Sequence, residues 1–433
     1  MDRSFDIVDT EGATVSSGTG VEREAVHTLA HTYLSCRAST FFVPHGPQFS
    51  MLAAVNGPSA RWMSHEQKMD WGILGTLVGL SLIYGLGTEP LNPLALIFFI
   101  NECHVAALHS DLVSHWFPEL HATLKAWASL GHEDDVHQFA SHFSSYHECD
   151  VASLRHRSPE QHRALGWEML HNAILGVKGI DHPAVMFFLK GFKMPCDKGY
   201  NFTQIACSFQ GSSEAFVSSV YECYIHHYSS LKLDYQSLLK DETSIKLNHA
   251  IRDNHSFAAS SFQDLFQGFL EGSGYPSFDL MNGLRGRLNP IINLDNIHQD
   301  TFRMRMLCWA ATGAPYVLTD GIRTKVILIE DYDEEYGAAL TPGQRLTNLN
   351  AGVCKFRSCL REMRIPASFL LHLLSIDYTT AASTLLGDEG VADAMPGSSQ
   401  SSVSEVPVLT VREAVEHWLL ASILDNIGES NLT

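Results

Sequence analysis

The sequence predicts an α+β protein of two lobes: a large, mainly helical one over residues 1–271, a hinge at 272–274, and a smaller α+β lobe over 275–433. Three observations carry that expectation. Apolar residues recur at helical spacing through the first two thirds of the chain. Beyond Gly272-Ser273-Gly274 the pattern changes to alternating, β-branched runs. The chain has 433 residues, 45% of them apolar and 18% charged, which is enough for two or three domains or one bilobal unit.

Composition narrows the function classes. Acidic side chains outnumber basic ones 48 to 29, a net charge of −19, and no basic run is present. Such a chain repels phosphate backbones, so nucleic acid is excluded as a first reading. The mean hydropathy of −0.02 argues against disorder throughout. Nine cysteines, an odd number scattered along a long chain, read as reduced thiols rather than a disulfide framework. Residues Met1 to Gly12 lack a basic then apolar start, so the expected location is intracellular, in cytoplasm or nucleus.

The elements follow in order. Glu22 to Leu34 sets Val26, Leu29, Ala30 and Tyr33 on one side of a helix. Trp71 to Thr88 has no charged residue, yet glycines and the Glu89, Pro90 and Pro93 interruption before Leu94–Ile100 favour a buried helical hairpin over a membrane span. Asp111 to Trp127 places Leu112, Trp116, Leu120, Leu124 and Trp127 along an amphipathic helix. Gly131 to Arg163, rich in His, Ser, Asp and Glu, reads as a polar stretch or loosely packed helices. Helical pattern resumes over Gly166–Gly176 and His182–Leu189, with Pro183 suited to a helix start. Strands are expected over Arg323–Glu330 and Val353–Ser358. Asp388 to Pro407, with its serines, glycines and prolines, reads as a flexible insertion, and Val411–Ile427 as a last helix capped by Thr410.

Several chemistries lack their usual patterns. The pairs Cys103-His104, His147-Glu148-Cys149 and His226-His227 form no CxxC, HExxH or matched second half, so no metal is expected. No GxGxxG stands between a strand and a helix, and neither a Walker-type loop nor GxSxG occurs, so no cofactor is implied. A cysteine remains. In Arg357-Ser-Cys-Leu-Arg-Glu-Met-Arg-Ile-Pro366, Cys359 follows the Val353–Phe356 run and precedes a helix expected from Pro366, a junction that leaves a thiol at an edge. Lys355, Arg357, Arg361 and Arg364 lie within five residues, and nearby cations favour the thiolate that a nucleophilic cysteine needs.

Ser358-Cys359-Leu360, followed by Ile365-Pro366 and an apolar helix, resembles the catalytic turn of HECT-type ubiquitin ligases. Other segments resemble the family in its order: Glu11-Gly12 with Gly18, Gly20 and Arg23-Glu24; Phe41-Phe42; the glycine-rich Gly72–Gly85; Phe262–Gly272 as the helix closing the large lobe; and Trp309-Ala-Ala-Thr-Gly-Ala-Pro315. Gly191-Phe192 is similar to a family step but lies far before Thr312. Arg357 stands where the family often has histidine, and 74 residues follow Cys359 where its tail is usually short. The resemblance implies a hinged bilobal fold and a ubiquitin-protein transferase. A ubiquitin-conjugating enzyme would dock between Asp111 and Leu189, with the acidic, histidine-rich Gly131–His147 meeting a basic surface there. Cys359 would carry ubiquitin as a thioester to a protein substrate's lysine, with Arg357 and Ser358 orienting that thioester. Cys354 is the competing thiol, set apart by strand alternation. Two rivals stand beside this reading: a HECT-like interaction protein without transfer activity, and an unrelated helical metal protein.

Overall fold

Short polar signals place the helix starts. Ser64 with Gln67, Ser158 with Gln161, Asn201 with Gln204, Thr341 with Gln344 and Thr410 with Glu413 each form a reciprocal capping box, satisfying backbone donors that the first turn leaves open. The computed structural model describes residues 6–8, 14–17, 19–35, 37–45, 49–52, 62–87, 91–140, 142, 151–176, 179–195, 199–275, 288, 292, 296–318, 321–332, 341–376 and 410–427. The fold is α+β and mostly helical. It divides into two compact units, one of Met1–Arg3 and Val26–Cys223, the other of Ser4–Ala25 and Tyr224–Thr433.

The chain opens with an antiparallel pair, β1 (Asp6–Val8) and β2 (Thr14–Ser17), then α1 (Thr19–Ser35). Val26 and Ala30 of α1 are buried as expected, but Leu29 is exposed. The unit of Val26–Cys223 continues with α2 (Ala38–Phe41), the hairpin β3 (Phe42–His45) and β4 (Phe49–Leu52), α3 (His65–Ile83) and α4 (Pro93–Ile100). All eight residues of α4 are buried, which explains its uniformly apolar sequence. The expected α3–α4 hairpin gives way to a different pairing: α3 packs along α8 (Pro183–Phe192). A Cβ at Gly75 would lie 2.0 Å from the Phe188 carbonyl oxygen, and one at Gly191 would lie 1.9 Å from that of Gly72. The glycines let two backbones touch, so the run expected at a membrane threshold is a helix-crossing surface. No helix among the described residues is long and apolar enough to cross a membrane.

Between these helices lie α5 (Ser110–Trp116), α6 (Pro118–Ser129) and α7 (Pro159–Leu175). The single helix expected over Asp111–Trp127 is two, because Pro118 cannot continue α5 and instead starts α6. The described part of the Gly131 stretch is folded rather than loose. Val136 and Phe139 pack with Trp127 and Met169 in a small core of their own. Arg157 ties it down, donating to the carbonyls of Gly131 and Asp134 and to Nδ1 of His162. The unit closes with α9 (Phe202–Ser208) and α10 (Ser213–Tyr221).

The second unit is built on a four-stranded sheet of β5 (Leu233–Ser237), β6 (Thr324–Ile329), β7 (Lys355–Arg357) and β8 (Glu362–Pro366), in the order β5-β6-β8-β7. β5, β6 and β8 run parallel and β7 is antiparallel to β8. β6 is apolar on both faces: Val326 and Leu328 join the large core, Ile327 and Ile329 a second cluster with Tyr332 and Leu349. Two-sided burial accounts for its continuous Val-Ile-Leu-Ile run. Around the sheet lie α11 (Asp241–Asp253), α12 (Phe262–Leu270), α13 (Phe302–Thr312), α14 (Pro342–Asn350), α15 (Ala367–Ser375) and α16 (Val411–Asp425).

A boundary at 272–274 is not what the fold has. One apolar cluster runs from Ile225 to Ile427, joining Phe266, Phe269 and Leu270 of α12 to Leu307 of α13 and Leu419 of α16. The expected hinge is clamped inside it. Buried Arg303 donates to the carbonyl oxygens of Phe269 (2.8 Å) and Gly274 (3.2 Å) and pairs with Glu416 at 2.8 Å. A Cβ at Gly272 would sit 2.5 Å from its guanidinium. The unit boundary falls instead at Cys223/Tyr224, and residues 224–271 belong with the sheet. The insertion expected at 388–407 lies outside the described residues.

Candidate functional site

Cys359 sits in the four-residue turn Ser358–Arg361 joining β7 to β8. Register pairs Arg357 with Glu362 directly below the turn. The Leu360 amide donates to the Arg357 carbonyl at 3.1 Å, and the Arg361 amide to that of Ser358 at 3.4 Å. Arg361 closes the turn with φ +55, a left-handed conformation that costs a non-glycine residue energy, while its carbonyl accepts from the Lys325 amide of β6 at 2.8 Å. The strand, thiol, helix order expected at Cys359 is therefore strand, turn, strand, helix: β8 intervenes before α15.

The thiol of Cys359 is exposed, as is the neighbouring Leu360. Among the other described cysteines, 223, 308 and 354 are buried and 103 and 207 are partly so. Burial pushes the thiols of Cys308 and Cys354 up to about 12 and that of Cys103 to about 11. Cys354 precedes β7 and packs in the large core. Strand alternation does not separate the two thiols as expected, because β7 ends at Arg357. The turn does so instead.

The four cations expected around the thiol divide. Arg364 is buried and pairs with Glu362 at 3.5 Å, and the same carboxylate takes Lys325 at 3.0 Å. Arg364 therefore serves a buried ion cluster under the sheet. Ser358 is buried beneath the turn, while Arg357 ends the strand leading into it. Glu362 and Lys325 did not figure in the sequence reading. The alternation of charge with Met363 and Ile365 in β8 was the available signal, since charges alternating with buried apolar residues mark a second sheet face.

Three segments distant in sequence meet at this turn. Gly20, in the first turn of α1, lies against Ser358: a Cβ there would stand 2.6 Å from its carbonyl carbon and 2.9 Å from its Oγ. Gly313, the left-handed cap of α13 at φ +82, lies against Gly20, with a Cβ 2.4 Å from the Gly20 oxygen. Arg23 binds the two helix ends together, donating from Nη1 to Thr312 Oγ1 at 2.7 Å and from Nη2 to the Tyr316 carbonyl at 3.0 Å. The Thr312 hydroxyl donates in turn to the Cys308 carbonyl at 2.8 Å. Beside the turn, Leu231, Leu233, Thr312, Val317, Ile322 and Arg361 help line a small cleft open to solvent.

Among the described residues, no three His, Cys, Asp or Glu side chains gather where one ion could bind them. No protein-family model and no curated protein matches the chain.

Proposed function

We propose that the chain is a ubiquitin-protein transferase of HECT-like type, acting through a thioester on Cys359. The observation that carries this reading is the meeting of the Gly20-Arg23, Thr312-Gly313 and Ser358-Cys359 segments at one turn with an exposed thiol. These are three of the segments in which the sequence resembles that family, and the first lies 289 residues or more before the other two. In the proposed reaction the Cys359 thiolate attacks the carbonyl of a ubiquitin thioester, and the conjugating enzyme's cysteine leaves as thiolate. A substrate lysine amine then attacks the new thioester, loses its proton and expels the Cys359 thiolate, leaving an amide. The first step exchanges like bonds and the second runs downhill, so the protein's task is to present the sulfur. Arg357 is the candidate for orienting the thioester, and Ser358 for holding the turn from below. The conjugating enzyme would dock on the Val26–Cys223 unit, between Asp111 and Leu189, and the reaction would belong to cytoplasm or nucleus.

A second reading, a HECT-like interaction protein without transfer activity, is favoured by one observation: Arg303 clamps the segment where a hinge was expected. The two readings part in one assay. Incubated with ubiquitin and a broad panel of loaded conjugating enzymes, wild type and Cys354→Ser are expected to form a reductant-sensitive ubiquitin adduct, and Cys359→Ser none. An adduct surviving in Cys359→Ser, or absent from wild type with every enzyme, rejects the transferase and leaves the interaction protein.

A further inference from the structure

The turn bearing Cys359 stands at the β7 edge of the sheet, closed by two backbone hydrogen bonds and a left-handed arginine and tied to β6 through the Lys325 amide. Thioester exchange requires the sulfur to be held in a narrow range of distance and angle. The turn also rests on a bed of two glycines. The Gly20 backbone touches the Ser358 backbone, and Gly313 touches Gly20 from its other neighbour, each at a separation no side chain can share. The shortest of these separations are to backbone atoms, so rotating a flexible side chain does not relieve them at either place. Arg23 fastens the bed, because one guanidinium bridges a hydroxyl and a carbonyl beyond the end of α13.

We infer that Gly20, Gly313 and Arg23 are positioning residues for Cys359, acting through Ser358 rather than touching substrate. This rests on the reading of Cys359 as the nucleophile. Gly20→Ala forces a methyl against the Ser358 carbonyl and lifts the turn. Arg23→Lys keeps the charge but loses the planar fork that reaches both acceptors.

The experiment measures hydrogen exchange in the full chain at the Leu360 and Arg361 amides. Gly20→Ala is expected to speed both by about tenfold or more while the amides of β6 keep their wild-type rates. Arg23→Lys gives a smaller change of the same pattern, and serves alone if Gly20→Ala does not fold. Ubiquitin-adduct formation is then expected to lose about tenfold in kcat with KM for the loaded conjugating enzyme unchanged. Unaltered exchange at the turn, acceleration spread evenly over the unit, or an unaltered kcat overturns the inference. Local acceleration with no adduct on wild type leaves the bed standing and removes the thioester reading instead, so the two failures separate.

Discussion

At the scale of single residues, His162 shows how a buried network sets a pH dependence. Its Nδ1 accepts from Arg157 Nε at 2.9 Å, its ring stacks on Trp127 at 4.3 Å, and Nε2 lies 3.1 Å from the Trp127 carbonyl. Burial first, and the Arg157 charge second, hold its pKa below the ordinary 6.5, with the Trp127 carbonyl opposing them. The folded state therefore prefers neutral imidazole. Stability from this preference is fully present above the unfolded value and is lost as pH falls through it toward the lower folded value. Between about pH 7.5 and 5.5, wild type is expected to lose more thermal stability than His162→Gln. A difference between the two proteins that does not change with pH would refute the assignment. Val136 and Phe139 share their core with Trp127, so the region 131–140 is part of the fold and not a detachable surface loop.

At the scale of elements, the crossing of α3 and α8 depends on absent side chains. Gly191→Ala places a methyl 1.9 Å from one backbone oxygen and 3.0 Å from the Thr76 amide nitrogen, so the helices must part. Overpacking of this kind costs about 1–3 kcal/mol. Gly268, on the exposed side of α12, has nothing within 4 Å of an added Cβ. There alanine removes only the conformational penalty of glycine, and Gly268→Ala is expected to gain about 0.5–1 kcal/mol. Urea midpoints moving in opposite directions for the two variants would bear out this contrast; a neutral Gly191→Ala would dispose of the tight crossing.

At the scale of the molecule, Arg303 ties the 272–274 segment into the unit that contains it. With its partner Glu416 it is buried in the core of the Tyr224–Thr433 unit, so a cation and a carboxylate from segments more than a hundred residues apart depend on each other. Removing Glu416 strands the buried Arg303 charge, at about 3–5 kcal/mol, whereas Glu416 without Arg303 keeps Arg412 Nε at 2.7 Å. Glu416→Leu is expected to destabilise by that order in urea unfolding, and the double variant Arg303→Met, Glu416→Leu to recover much of it. A single variant as stable as wild type would mean that the clamp on 272–274 contributes nothing.

Local signals were legible in the sequence. Pro183 at the start of α8, Thr410 before α16, the β-branched run of β6 and the apolar stripe of α16 each act within a few residues, and each lies where pattern alone had it. The candidate nucleophile was legible by its cationic neighbours, yet the reason it is exposed was not, since alternation does not extend past Arg357. The division into units was misread because a glycine pair resembles a joint until the partner arriving from residue 303 is known. The meeting of Gly20, Gly313 and Ser358 is likewise invisible in one dimension. Capping, periodicity and turn chemistry are short-range and belong to the sequence by itself; close backbone approach and buried charge pairing join distant segments, and only the tertiary structure decides them.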